Sequence, residues 1–321
     1  DLRTYELTGM WGNPDQLATT LGEGFDEPVA AEVEMISRSG LALDRSGGRI
    51  TRSTVRNAFD AGIRAVEELL KIAPALYDIT VFGAEPHPNY NRILLSPVLA
   101  GEQTIDEIVL NSFDWYAANH ITLHAGKKVV DVDRARRMVR AVDAQGGVTE
   151  AAYDRLLLCT GSNPFMLPVP GKDLHGVIAY RDIADTQAMI ETARTHKNAV
   201  VIGGGLLGLE AANGLMLRGM NVTVVHVMPW LMERQLDDMA GKLLQKSLEE
   251  RGLKFMIGAQ TQELAGDAHG RVKAIRFKDG TELSADLVVM AVGIRPNTEL
   301  AEKMHLHCNR GIVVDDTMQT V

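Results

Sequence analysis

Residues 198–227 read NAVVIGGGLLGLEAANGLMLRGMNVTVVHV, and the fold turns on this stretch. The apolar run Ala199–Ile202 stops at three consecutive glycines, a set of strong helix formers follows, and Val222–Val225 resumes a strand pattern. Strand, glycine turn, helix and strand in that order make a βαβ nucleotide-binding unit. The glycines fall as Gly203-x-Gly205-x-x-Gly208, with Leu206 and Leu207 between the last two. Gly203 permits the tight turn, Gly205 lets the backbone approach a diphosphate with no Cβ in the way, and Gly208 lets helix and strand pack closely. The helix mouth then offers unpaired N–H groups and a partial positive charge to phosphate. A glycine turn without a ligand is the alternative, and the register of all the flanking elements argues against it.

Two polar residues of the unit admit more than one reading. The residue ending the second strand ordinarily selects the ribose, an acid accepting from a 2′-hydroxyl and an arginine accommodating a 2′-phosphate. His226 stands there and is neither, so it reads as a polar strand end or as a ribose contact, and NADH versus NADPH stays open. Glu210, in the first helical turn, reads as compensation of the helix dipole, with contact to the nicotinamide end of a cofactor as the alternative.

Downstream, the pattern predicts a helix over 237–251, a strand at KFMIG, a hairpin VKAIRF-KDG-TELS turning at Asp279-Gly280, and a strand DLVVMAVG at 286–293. Upstream, Phe59, Ile63, Val66, Leu69, Leu70 and Ala73 fall at helical spacing ahead of Pro74, and DITVFG at 78–83 is a strand leading to Glu85. HPNYNRILLSPVLAGE (87–102) reads as a Pro- and Asn-rich loop, 127–150 as a small β-meander, RLLLCTG (155–161) as a buried strand, and NPFMLPVPG (163–171) as a linker. Residues 1–56 follow no sustained period and receive no assignment.

With 321 residues, 45% of them hydrophobic, the chain can build two cores. A net charge of −9 without a basic cluster repels a phosphate backbone, which excludes nucleic acid. No apolar run reaches the roughly 18 residues of a membrane span, and DLRTYELTGMWG lacks the form of a signal peptide. Cys159 and Cys308 are the two cysteines and have no C-x-x-C spacing, which fits a reducing cytoplasm and gives no paired-thiol centre. Both read as small buried hydrophobes, and His305-x-His307 beside Cys308 as a strand end, so no metal site is expected.

NYNRILLSPVLAGE, CTGSNPFMLPVPG, GLLGLEAANGLMLRGMNVTVVHVMPWLMERQLD, DLVVMAVGIRPN and GIVVDDTMQT together resemble the FAD/NAD(P)H reductase module of assimilatory nitrite reductase large subunits. That module lies within the two-dinucleotide-domain pyridine nucleotide-disulfide oxidoreductase superfamily. The resemblance covers residues from about 57 to 320. It implies an α/β protein with two Rossmann-like dinucleotide-binding domains, of glutathione-reductase-like FAD/NAD(P) fold. The FAD-binding-type domain would comprise 57–170 and 294–321, interrupted by an NAD(P)H domain at 171–293. Hydride would pass from nicotinamide to flavin, and electrons onward to an iron–sulfur or siroheme acceptor; a homodimer is a further expectation.

On matching positions the resemblance implies Glu85 at the FAD ribose, Arg92 and Ser96 near the flavin, and Thr160 and Gly161 at the crossover. It implies Gly203, Gly205, Gly208 and Glu210 around the dinucleotide, and Gly293 and Pro296 where the domains meet. The cofactors carry the chemistry, so no catalytic side chain is expected, with Glu210 near the nicotinamide as the alternative.

The sequence departs from the family at both ends. The FAD-side fingerprint ends at Gly62, but Asn57 and Phe59 fill the two earlier glycine positions. RITRSTV (49–55) is too polar for a central parallel strand, and the chain stops at Val321, ahead of the family's acidic residue for the ribityl side. The FAD domain is therefore expected to be incomplete at both ends. Alternatives are a non-catalytic nucleotide-binding remnant or assembly subunit, and a rubredoxin- or ferredoxin-type reductase. Disulfide reductases need a reactive cysteine beside the flavin, and 87–102 contains none.

Overall fold

The computed structural model describes residues 58–320. In chain order it runs α1 (Ala58–Ile72), β1 (Thr80–Gly83), a 3-10 turn (Arg92–Leu94), α2 (Leu95–Ala100), a 3-10 turn (Asp106–Ile108), α3 (Phe113–Ala118) and β2 (Thr122–Ala125). Next come β3 (Lys128–Asp133), β4 (Met138–Val142), β5 (Val148–Ala152), β6 (Ser162–Pro164), β7 (Val177–Ala179) and α4 (Ile183–Thr195). The glycine stretch builds β8 (Asn198–Ile202), α5 (Leu206–Leu217) and β9 (Asn221–His226). It continues into α6 (Asp238–Glu250), β10 (Lys254–Ile257), β11 (Thr261–Gly266) and β12 (Val272–Phe277). β13 (Glu282–Ser284), β14 (Leu287–Met290), β15 (Ile294–Pro296) and α7 (Glu299–Lys303) complete it. These residues form two compact units: one holds the described chain up to Ile93, Val109–Ser162 and Pro296 onward, the other Leu94–Ile108 and Asn163–Arg295.

The unit containing the glycine turn is built on a parallel five-stranded sheet, ordered β10-β9-β8-β14-β7. Strands buried on both faces need continuous apolar runs, and Ala199–Ile202 and Leu287–Met290 are buried throughout. The predicted hairpin is present, with Gly280 at φ +86° and the Phe277 N–H donating to the Thr281 carbonyl. Ile275 and Phe277 of β12 join Val200, Ile202 and Val225 in one core.

In the same unit α2 corrects the reading of 87–102 as a loop. Pro97 does not prevent this helix because it lies in the first turn, where the missing N–H has no intrahelical partner to lose. Gly101, in the left-handed region at φ +87°, ends it. Leu99 is fully buried against a notch at Gly214 of α5, where an added Cβ would lie 2.7 Å from the leucine Cγ. Arg218 donates from Nε and Nη2 to the Leu99 and Val98 carbonyls at 2.7 and 2.9 Å, covering helix-end acceptors, of which Val98 also accepts from the Gly101 N–H.

In the other unit the α1 periodicity buries Ile63 and Val66 against Tyr116 and Ile121, with Val81 and Leu123 of the parallel β1–β2 pair packed on them. The meander predicted over 127–150 is the antiparallel sheet β3-β4-β5. Val132, Val139 and Leu158 form a second core with Ala301, Met304 and Leu306. The strand predicted over 155–161 is not formed: Leu158 is buried, but the segment joins no sheet among the described residues. A strand is stabilised by a neighbour's N–H and C=O groups. The segment 49–55, weighed above as the first strand, lies outside the described residues, as does Asn57.

Candidate functional site

The glycine turn meets its steric requirements in full. Gly203 sits at φ +122°, and an added Cβ would lie 2.3 Å from the Ala291 carbonyl oxygen. At Gly208 an added Cβ would lie 2.0 Å from the Gly203 carbonyl oxygen, so both positions are closed to any side chain. Gly205 is different. Its φ of −83° suits any residue, and nothing lies within 4 Å of an added Cβ. It occupies the N-cap of α5, where Ser, Thr, Asp or Asn would satisfy an orphan N–H, yet no side chain caps this helix. Backbone conformation and packing therefore do not demand glycine at Gly205. Glycine there leaves the helix mouth open.

His226, at the end of β9, is buried, and its Nδ1 accepts from the Gly204 N–H at 3.0 Å. Its Nε2 lies 3.1 Å from Oε2 of Glu233. The segment carrying Glu233 is fastened to the same turn, because the Met232 N–H donates to the Gly204 carbonyl at 3.0 Å. Leu231, wholly buried, would meet a Cβ on Gly204 at 2.6 Å.

Glu210, on the first turns of α5, accepts from the Ser96 hydroxyl at 2.8 Å, and Ser96 in turn accepts from the Tyr180 hydroxyl at 3.2 Å. Burial raises the Glu210 carboxyl above the usual carboxylate range, with the Ser96 hydrogen bond pulling the other way. Burial likewise pushes the Tyr180 phenol above its ordinary range, and the Glu210 charge adds to this. The docking of α2 on α5 brings Ser96 to this pair. The sequence resemblance implied Ser96 near a flavin; the structure places its hydroxyl on Glu210. Gly293, at φ +114°, accepts from the Phe165 N–H through its carbonyl.

In the first unit, Glu85 follows β1 and accepts from Arg92 Nη2 and from the Tyr90 hydroxyl, each at 2.6 Å. The loop bearing Tyr90 and Arg92 is tethered by a buried network: Tyr116 donates to Asn89, Asn89 to Asn111, and Asn111 to Glu67. Gly62 of α1 lies where an added Cβ would be 3.0 Å from Cys159 Sγ, a close helix–chain contact. Burial pushes that thiol up to about 12, so it is protonated and unreactive at neutral pH. Thr160 donates from its hydroxyl to the Asn297 carbonyl at 2.7 Å, and the Asn297 N–H donates to the Gly161 carbonyl, beside exposed Pro296.

Sequence reasoning missed Gly204, Glu233, Tyr180 and Arg218. The middle glycine of GGG and the LMERQ segment after β9 were visible signals for the first two. Nothing local points to Tyr180 or Arg218, whose partners lie 84 and about 120 positions away.

Residues 60–321 match the description of the pyridine nucleotide-disulphide oxidoreductase family, and the chain belongs to it. Among curated relatives, it is 54% identical over 264 residues to nitrite reductase [NAD(P)H] of Bacillus subtilis (strain 168), covering 81% of this chain and 32% of that one. It is 47% identical to the assimilatory nitrate reductase electron transfer subunit of the same organism, covering 81% and 33%. The chain thus spans about a third of the length of these relatives. A solved ferredoxin reductase from Rhodopseudomonas palustris superposes with a TM-score of 0.70 at 28% identity, covering 78% of this chain and 61% of that one. No helix among the described residues is long and apolar enough to cross a membrane.

Proposed function

We propose that the chain is an electron-entry module of the nitrite reductase type. It takes electrons from NAD(P)H at Gly203–Gly208 and passes them through FAD to an iron–sulfur or siroheme centre on another domain or protein of the cytoplasm. The observation that carries this is Gly205, an uncapped helix mouth kept free of a Cβ that the local backbone would tolerate. In this reading 171–293 serve the pyridine nucleotide, and 57–170 with 294–321 serve the flavin, although Leu94–Ile108 cluster with the first of these.

The described residues fit the ribose end of an FAD. Glu85 holds two donors, and a carboxylate has about four acceptor positions, leaving room for a diol. Gly62 supplies the close helix contact that the third fingerprint glycine provides. A bound flavin supplies the exchange between two-electron and one-electron transfer. Arg92 and Tyr90 fix the Glu85 carboxylate, while Ser96 and Tyr180 fix Glu210 toward the nicotinamide end.

An absorbance spectrum of the purified protein, taken with excess FAD and again after anaerobic NADH, tests this. Flavin bands that bleach on addition are the expected result. Protein that takes up no flavin sinks the electron-transfer half of the proposal. The likeness to a ferredoxin reductase favours carrier-protein reduction as a second reading, and assays with ferredoxin and rubredoxin in parallel separate the two.

A further inference from the structure

We infer that Glu233, held by His226, is the residue that selects an unphosphorylated adenosine ribose, so that this site is specific for NADH; the inference rests on the nucleotide reading of the glycine cradle. The tautomer comes first. The Gly204 N–H donates to Nδ1, so Nδ1 must keep its lone pair and carries no proton. The ring proton is therefore on Nε2, and it is donated to Oε2 of Glu233 at 3.1 Å. His226 joins a backbone N–H of the phosphate-cradling turn to a carboxylate, and it is a positioning residue.

The other oxygen of Glu233, Oε1, accepts no hydrogen bond among the described residues, and the side chain remains 22% exposed. That oxygen is free to accept from a ligand hydroxyl. Its distance from the turn is short and fixed at both ends, by the imidazole and by the Met232 hydrogen bond to Gly204. In a βαβ nucleotide unit the adenosine ribose lies beyond the end of the second strand, where an acid accepts from its diol. Here that strand ends in a buried imidazole whose two ring nitrogens are taken by Gly204 and Glu233, so the carboxylate stands beyond it, on Glu233. A carboxylate at this place attracts a diol and repels a 2′-phosphate. Exposed Arg234, the next residue, is the group that would instead favour a phosphate.

Calorimetry with ADP-ribose and 2′-phospho-ADP-ribose on the whole chain tests the assignment without any redox turnover. Wild type is expected to prefer ADP-ribose by at least about tenfold, the scale of a hydrogen bond to a charged group. Glu233→Gln keeps an oxygen to accept from His226 Nε2 but loses the charge, so it is expected to fold normally. It should weaken ADP-ribose about tenfold and bring the two ligands near parity. Glu233→Asp, charged but shorter, should keep part of the preference. Nitrogen-15 NMR of His226 should report the Nε2–H tautomer in the free protein, and the opposite tautomer would overturn the coupling. A ratio unchanged in Glu233→Gln, or a wild-type preference for the 2′-phosphate, overturns the specificity assignment and leaves the nucleotide site standing. Binding of neither ligand by wild type overturns both.

Discussion

Glu85 follows the strand after α1, His226 ends the strand after the glycine-opened α5, and the chain holds them in opposite ways. Glu85 faces outward, partly exposed, and gathers Arg92 and Tyr90 onto its carboxylate. His226 is buried, turns inward onto Gly204, and leaves the carboxylate to Glu233 on the next loop. In one unit the strand end presents an acid directly; in the other an imidazole stands between strand and acid. The glycines differ in the same sense. Gly62 meets one side chain, whereas Gly203 and Gly208 meet main-chain oxygens that cannot move aside. Two related mouths can therefore tolerate very different substitutions.

The sharpest way to break this comparison is to add the same methyl to each mouth. Gly208→Ala drives a Cβ to 2.0 Å from a carbonyl oxygen and is expected to cost about 3 kcal/mol or more. Gly62→Ala meets Cys159 Sγ at 3.0 Å, and gained helix propensity offsets the crowding, so a change within about 1 kcal/mol is expected. Urea unfolding of both variants measures the gap, and equal losses would remove the distinction.

Gly205→Asp separates function from folding inside one mouth. The open space and the φ of −83° admit the side chain, and its carboxylate can cap α5, so stability should hold or rise by up to about 1 kcal/mol. Its charge sits where a diphosphate must bind, so NADH affinity should fall about 100-fold or more by calorimetry. Retained affinity would mean that the phosphates lie elsewhere.

Glu85→Gln sharpens the other side. Arg92 keeps the amide oxygen as acceptor, the amide NH2 can donate to the Tyr90 hydroxyl, and the partly exposed ion pair contributes about 1 kcal/mol or less to folding, so the melting temperature should barely move. FAD affinity, by fluorescence titration, should fall about tenfold as a charged acceptor is lost. A larger loss of stability than of affinity would make Glu85 a structural residue.

The smallest effect concerns pH. Glu210 titrates above the usual carboxylate range because of burial, against the pull of Ser96. A carboxyl raised in the folded state contributes stability below its unfolded-state value and loses it as pH rises through the folded-state value. Wild type should therefore lose a little stability as pH rises above the ordinary carboxylate range, and Glu210→Gln should flatten that slope in thermal melts. An identical slope in both would place the shift elsewhere.

What the sequence determined by itself is whatever neighbouring residues encode. The turn, the helix mouth and both flanking strands lie within one continuous stretch, so the glycines and the apolar runs announce them. The α1 periodicity, the meander and the Asp279-Gly280 hairpin were legible for the same reason. Tertiary structure alone decided the rest. Residues 155–161 had the composition of a strand but found no ladder among the described residues, because pairing belongs to the sheet and not to the segment. Leu95–Ala100 looked like loop until Leu99 met the Gly214 notch and Arg218 covered its carbonyls. Ser96 and Glu210 stand 114 positions apart and become partners only once those helices pack. His226 could not be assigned from its place at the strand end, since the ring's two nitrogens take their roles from Gly204 and Glu233, which only folding brings to it.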